Sequence, residues 1–529
     1  MRRKPIDQSS NVLAATRVRV RGPHLRLDRP MNIAPDVTCF RNCGWIVAWN
    51  VHEQRLGFLR EGDFVFRGPD IIYVGGHYDG PLGNEVDGSH LMVMPGLINA
   101  HHHSTAMMIR NGLSTEGGSY IVPYFYTTQR VLVPDDRDKG VATEAAMARL
   151  LLSGTTTTMD WVSPYEGWVD VLARSGIRAY AAPAYNSARV AMRANQDLVY
   201  EWFADGGALE FRAALDAMAE AEGHSCGRLS AMVAPSELEC CSEWLLRESK
   251  AVAESTGRPF QVHASEAVRE FFEIACRHGM SPIQWCSKLG LLGGKTAIGH
   301  AVYLDHHSKV QWPEQRDLAL LAETGTTVTH TPAAWAAVGD GLETLASYLR
   351  AGINIALGND AFPHGMIDEL KTAVFLGRVK SGKDCGTPMY PIEGGLSIGA
   401  RQVLEAATVG GARFLGRDDI GKLAVGCKAD FFTVDLRHPD MMPIYDPLRS
   451  LIYSAGQRAI CDVYVDGRQV VRNGILLTMD LNDVSARLQN GQNRLVQEIP
   501  SKESAFGREA ASIWPLSLPV DVPLSTYRV

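Results

Sequence analysis

Eight short apolar runs, spread over residues 91 to 415 and separated by helix-like stretches, constrain this chain more than any other feature. They read LMVMPGLIN, TTTTMDW, IRAYAAPAY, LSAMVAPS, PFQVHAS, TAIGHAV, TTVTHTP and INIALGND. Near-continuous apolar strands alternating with helices belong to a parallel sheet covered on both faces. Eight such units in roughly 300 residues fit a TIM barrel. Among the segments between runs, 242–255 and 368–378 read as helices. The longest gap, 186–228, predicts an insertion or a long helix near the barrel mouth.

The flanks differ in character. Before the first run, WIVAWNV, DFVFRG and DIIYVGG are β-rich and punctuated by Gly and Asp. After 415 the chain returns to short strands in ADFFTVDL, CDVYVDG and QVVRNG. The expected fold class is α/β: a (β/α)8 TIM barrel over 95–415, with a small β-sandwich domain formed from the N- and C-terminal flanks, 31–94 and 416–480. Residues 1–30 form a polar, Arg-rich N-terminal extension. Residues 481–529 hold a C-terminal helix over 483–498 and an irregular tail.

Composition narrows the function classes. The net charge of −7 carries none of the basic footprint that nucleic-acid binding needs. No apolar run approaches membrane-spanning length, and MRRKPIDQSS lacks the apolar core of a signal peptide. The ten Cys show no CxxC spacing and read as reduced core residues. A cytoplasmic protein with a small-molecule substrate, and neither nucleic-acid nor membrane partners, is the expectation.

Of sixteen His, a few fall at strand ends. The first run ends in His101, His102 and His103; the fifth contains His263; the sixth contains His300; the eighth ends in Asp360. Barrel enzymes build their sites at the C-terminal ends of strands, so these positions converge although distant in sequence. Strand alternation puts His101 and His103 on one side and turns His102 to the other. Three His and one Asp form a set for one divalent metal that leaves a position open for water, the mark of a catalytic site. The ligand types suit zinc first, and admit iron, cobalt, nickel or manganese. His278, His306, His307 and His438 read as surface or packing residues.

MPGLINAHHHS resembles the PGLxNxHxH signature of the amidohydrolase superfamily. VHASE, IGHAVYLD and LGNDAF resemble its fifth-, sixth- and eighth-strand motifs, SGTTTTMD a second-strand segment, and GKLAVGCKADFFTVDL its return into the small β-domain. The likeness runs, with gaps, from about 31 to 480. It is greatest to the branch that holds atrazine chlorohydrolase and the guanine, cytosine and adenosylhomocysteine deaminases. The resemblance implies His101, His103, His263 and Asp360 as metal ligands, Glu266 as the proton-shuttling acid, and His300 as the residue that orients the attacking water. It also implies a homo-oligomer, a dimer or larger. LSAMVAPSELECC lacks the Lys that bridges two metals in binuclear relatives, which favours one metal per chain. Three pocket segments depart from the deaminase pattern: Ser236 stands where a His is common, TPAAW replaces PxSN, and YIVPYFY follows the HxH.

Hydrolytic deamination of an aminated N-heterocycle, of purine, pterin, pyrimidine or triazine type, is the expected reaction, because ring deamination needs an acid such as Glu266 to protonate a ring nitrogen. Hydrolysis of an amide, urea or carbamate C–N bond, or hydrolytic dechlorination, is the alternative on the same site. A metal-free scaffold is a third, but it predicts missing ligands, and all four positions are filled. Trp161, Ser236 and His330 lie near strand ends as candidate substrate contacts; packing roles serve them equally well.

Overall fold

A computed structural model describes residues 36–113, 133–192, 198–343, 345–361, 365–384, 398–502 and 517–518. The N-terminal extension 1–30, the YIVPYFY segment and nearly all of the tail after 502 lie outside them.

The eight apolar runs supply eight parallel strands, labelled in chain order: β1 (Leu97–Asn99), β2 (Thr155–Val162), β3 (Arg178–Tyr185), β4 (Leu229–Ala231), β5 (Phe260–Ala264), β6 (Thr296–His300), β7 (Thr327–His330) and β8 (Ile355–Leu357). β2 is buried at every residue, as a strand covered on both faces must be. β1 to β4 pair in sequence order, and Ala234–Pro235 extends β4 against β3. β5 to β8 form a second parallel sheet in the same manner. Backbone bonds cross both seams between these sheets. Gln261 N donates to the Val233 carbonyl at 3.0 Å, and Asp360 N to the His101 carbonyl at 2.8 Å. Parallel bridges join Val233 to Phe260 and His102 to Asp360. The arrangement is a TIM-barrel-like α/β fold.

Helices fall between the strands. The predicted 242–255 segment is helical over Glu243–Thr256; Ser242 caps it by accepting from Leu245 N, and left-handed Gly257 ends it. The segment predicted over 368–378 is longer, Met366–Asp384. The predicted C-terminal helix spans Leu481–Glu498. The 186–228 gap holds both an insertion and a helix. Ala188–Met192 pairs antiparallel with Leu198–Trp202, and Ala208–Gly223 is helical. The Arg277 guanidinium, on helix Val268–His278, lies over the Tyr200 ring at 4.5 Å and ties this hairpin to that helix.

The first apolar run is two strands rather than one. Leu91–Pro95 pairs antiparallel with Phe431–Asp435, whereas Leu97–Asn99 pairs with β2. Gly96 makes the change of sheet; a Cβ there would meet Thr156 Oγ1 at 2.0 Å. Both flanks thus enter one seven-stranded sheet, in which Leu91–Pro95 and Phe431–Asp435 are neighbours. A four-stranded sheet from the N-terminal flank faces it across Phe40, Phe64, Phe66 and Phe431, where Phe431 stacks on Tyr464 at 4.5 Å. The nine described cysteines are free. Among the described residues, no helix is long and apolar enough to cross a membrane.

One buried ion pair fastens the flanking sheet to the parallel strands. Arg178, the first residue of β3, donates Nε to Asp430 at 2.7 Å and Nη2 to Asp466 at 2.9 Å. Arg178 and Asp430 are both almost wholly buried. Removing one partner of such a pair strands the other charge in a poor dielectric. Arg178→Ala is expected to lower stability by about 3–5 kcal/mol, measured as a shift in the urea unfolding midpoint. An unchanged midpoint would show that the pair contributes nothing net.

Candidate active site

The predicted site residues meet at the C-terminal ends of the strands. His101 and His103 follow β1, where pairing with Asp360 continues the extended backbone, so alternation sends both imidazoles one way. His102 turns aside and sets Nδ1 against the Asp360 carbonyl at 2.9 Å. His263 lies in β5 opposite Gly299 of β6. Two glycines make room. A Cβ on Gly299 would meet His101 and His263 ring carbons at 3.2 Å, and one on Gly358 would meet the His101 Cβ at 2.6 Å. Ser265, His300, Ala301 and Asp360 all have positive φ, so the backbone is strained where β5, β6 and β8 end.

Three imidazoles are oriented by acceptors on their outer nitrogens. His103 Nδ1 meets the Trp161 carbonyl at 2.6 Å, and His263 Nδ1 the Ser236 carbonyl at 2.8 Å. His101 Nδ1 meets Gln261 Oε1 at 2.8 Å, while the Gln261 amide donates to the Ala100 carbonyl at 3.3 Å. Carbonyl oxygens only accept, so each Nδ1 carries the proton and each Nε2 presents a lone pair inward. His101 Nε2 and His263 Nε2 stand 3.3 Å apart. Two lone pairs cannot bond to each other, and a cation between them relieves the repulsion. Asp360 Oδ1 lies 3.5 Å from His103 Nε2 and 4.0 Å from His101 Nε2. Burial, then neighbouring imidazoles, holds His101 well below the usual histidine range and His263 down at about 3. Both are neutral near pH 7, the state in which imidazole binds metal. The donor set therefore fits a divalent ion.

Glu266 sits on the turn after β5, grouped with His263 and Glu237. Burial, and then the carboxylates of Glu237, Asp360, Glu239 and Glu270, hold its carboxyl well above the usual range. The Glu270 carboxylate accepts from the backbone amides of Ser265 at 2.9 Å and Glu266 at 2.6 Å, which fixes the turn. Sequence patterning misses Glu237, Glu239, Glu270 and Gln261, and marks Thr331 and Trp335, both bonded to His300 Nδ1, only as part of the departing TPAAW segment. Glu237 had one signal, its place directly after Ser236 at the end of the fourth run.

The three candidate substrate contacts part company. Trp161 is buried and stacks on His263 at 3.9 Å, walling the cluster, and its indole N–H has no partner among the described residues. Ser236 acts through its carbonyl on His263. His330 ends β7 but lies outside the converging groups; burial alone pushes it down to about 3.

A family model described as the amidohydrolase family matches residues 92–470. A 5-methylthioadenosine/S-adenosylhomocysteine deaminase of Pelotomaculum thermopropionicum is 25% identical over 453 residues, covering 83% of this chain and 95% of its own. A zinc-bound adenosine deaminase of Xanthomonas campestris superposes with a TM-score of 0.71 at 22% identity, over 87% of this chain and 98% of its own. A zinc complex of an atrazine chlorohydrolase of Arthrobacter aurescens does so with a TM-score of 0.69 at 23% identity, over 86% and 100%. With most of its length matched and the motifs of that family gathered at one set of strand ends, the chain belongs to the amidohydrolase family.

Proposed function

We propose that this chain is a metal-dependent hydrolase that deaminates an aminated N-heterocycle, with His101, His103, His263 and Asp360 as ligands of a single divalent ion. Zinc fits the donor set, and structural neighbours carry it. The inward convergence of three Nε2 lone pairs beside one carboxylate carries this reading. We further infer that β1 to β8 close into a (β/α)8 barrel over 95–415. The flanks 31–94 and 416–480 then pack as a small β-sandwich beside it. Backbone bonds across both seams support the closure.

A divalent ion bound there supplies Lewis-acid activation, which yields hydroxide from water near neutral pH. Asp360 accepts a hydrogen bond from the attacking water and holds it in line with the ring carbon. Glu266 takes the proton from that water and delivers it to the adjacent ring nitrogen. Attack makes the carbon tetrahedral, and His300 donates to the oxygen on it. Glu266 then takes the proton of the hydroxyl on that carbon and passes it to the amino group; the carbon–nitrogen bond breaks, the carbonyl forms, and the amino group leaves as ammonia. Among ring systems, the deaminase relatives favour an aminated purine nucleoside.

Ammonia release from zinc-reconstituted protein, with a panel of aminated purines, pterins, pyrimidines and triazines, tests the proposal. Turnover is expected with at least one purine nucleoside. Glu266→Gln should lower kcat by about 100-fold or more, the range for loss of a positioned acid–base group, with zinc still bound. Silence across the panel with zinc bound would sink the deaminase reading in favour of amide, urea or carbamate hydrolysis.

Metal content by atomic absorption separates the three adjacent histidines. His101→Ala should hold little zinc after dialysis, whereas His102→Ala should stay near wild type. Equal loss in both would overturn the ligand assignment.

A further inference from the structure

His300 is held differently from the other three imidazoles. Each of those turns Nδ1 towards an oxygen acceptor. Against His300 Nδ1 lies the indole Nε1 of Trp335, at 3.0 Å. An indole N–H donates and cannot accept. His300 Nδ1 must therefore be a lone pair. A proton on it, in the neutral ring or in the imidazolium, would face the indole hydrogen directly. Thr331 Oγ1, also 3.0 Å away, donates or accepts as required and selects neither form. Trp335 is itself firmly placed. It is 2% exposed in the helix Pro332–Ala337, and its carbonyl accepts from Asp340 N at 2.9 Å. It is also the residue that closes TPAAW, one of the segments that set this sequence apart.

We propose that Trp335 is a positioning residue that locks His300 in the Nε2–H tautomer, making it a fixed hydrogen-bond donor to the reacting oxygen and keeping it out of the ligand set. The consequence is specific. His101, His300 and Asp360 lie close enough to hold an ion by distance alone. With the proton on Nε2, His300 has no inward lone pair to give, and the ion is left to His101, His103, His263 and Asp360. The same proton points where negative charge develops during attack, as a preorganised donor should. The inference deepens the proposed reaction and rests on that reading for the identity of the oxygen, while the tautomer stands on the geometry alone.

Nitrogen NMR of 15N-histidine-labelled, zinc-reconstituted protein tests the lock, with the His300 ring assigned by its loss in His300→Gln. The expected spectrum shows an acceptor-type Nδ1 and a protonated Nε2. A protonated Nδ1 overturns the proposal. In Trp335→Phe, which keeps an aromatic ring in place, His300 should shift towards the Nδ1–H form with Thr331 as acceptor. kcat on the best substrate of the panel should fall by about 100-fold, as for loss of one preorganised donor, with KM within about 3-fold and zinc content unchanged. An unaltered His300 tautomer in that variant also overturns the proposal. Should Trp335→Phe fail to fold, Thr331→Val decides. With Trp335 as the remaining contact, Nδ1 must stay an acceptor, and a switch to Nδ1–H defeats the assignment. Because the tautomer is read without turnover, a silent substrate panel would count against the reaction and leave this result standing.

Discussion

Two imidazole nitrogens facing each other at 3.3 Å, each with its proton on the far side of the ring, set the terms for the rest of this molecule. The pair is repulsive unless a cation lies between, so the surroundings must hold both rings against their own preference. They do so with oxygens from separate strands: Gln261 in β5 for His101, and the Ser236 carbonyl beyond β4 for His263. His103 depends in the same way on the Trp161 carbonyl of β2. Each clamp works only while neighbouring strands stay in register, so the fit of the site and the pairing of the sheets are one requirement. Gly299 and Gly358 extend it to β6 and β8, where any side chain would displace the rings.

The same concentration of function carries a cost in stability. Glu266 is crowded by Glu237, Asp360, Glu239 and Glu270, in a setting that disfavours charge. Some of this is offset locally: Arg269 pairs with Glu239 at 2.8 Å, and Glu270 satisfies backbone amides of a turn whose Ser265 has positive φ. The remainder must come from the large apolar core and from ties such as Arg178 to Asp430. Strained backbone and like charges gathered at one end of the sheets, with well-packed structure beneath, is a distribution expected of an enzyme.

Much of this was legible in the sequence, for reasons that are local. Apolar runs with helices between them announce buried parallel strands, because both sheet faces must be covered. Period-two alternation was enough to separate His102 from its neighbours. Strand ends placed His263, His300 and Asp360 near His101 once eight strands were assumed. The split of the first run at Gly96 was not legible, since Leu91–Pro95 and Leu97–Asn99 are equally apolar and differ only in partner. Nor was the hairpin within 186–228, whose strands find support on Arg277 from a later helix.

The sequence by itself determined the order of the eight parallel strands, the family and the candidate ligand set, because motif spacing and hydrophobic period are properties of a single strand or helix. Only the tertiary structure decided which nitrogen of each imidazole is free. That choice rests on contacts between residues far apart in the chain: His101 with Gln261, His103 with Trp161, and His300 with Trp335. A proton goes to whichever ring nitrogen meets an acceptor, and the acceptor is known only when the strands have come together.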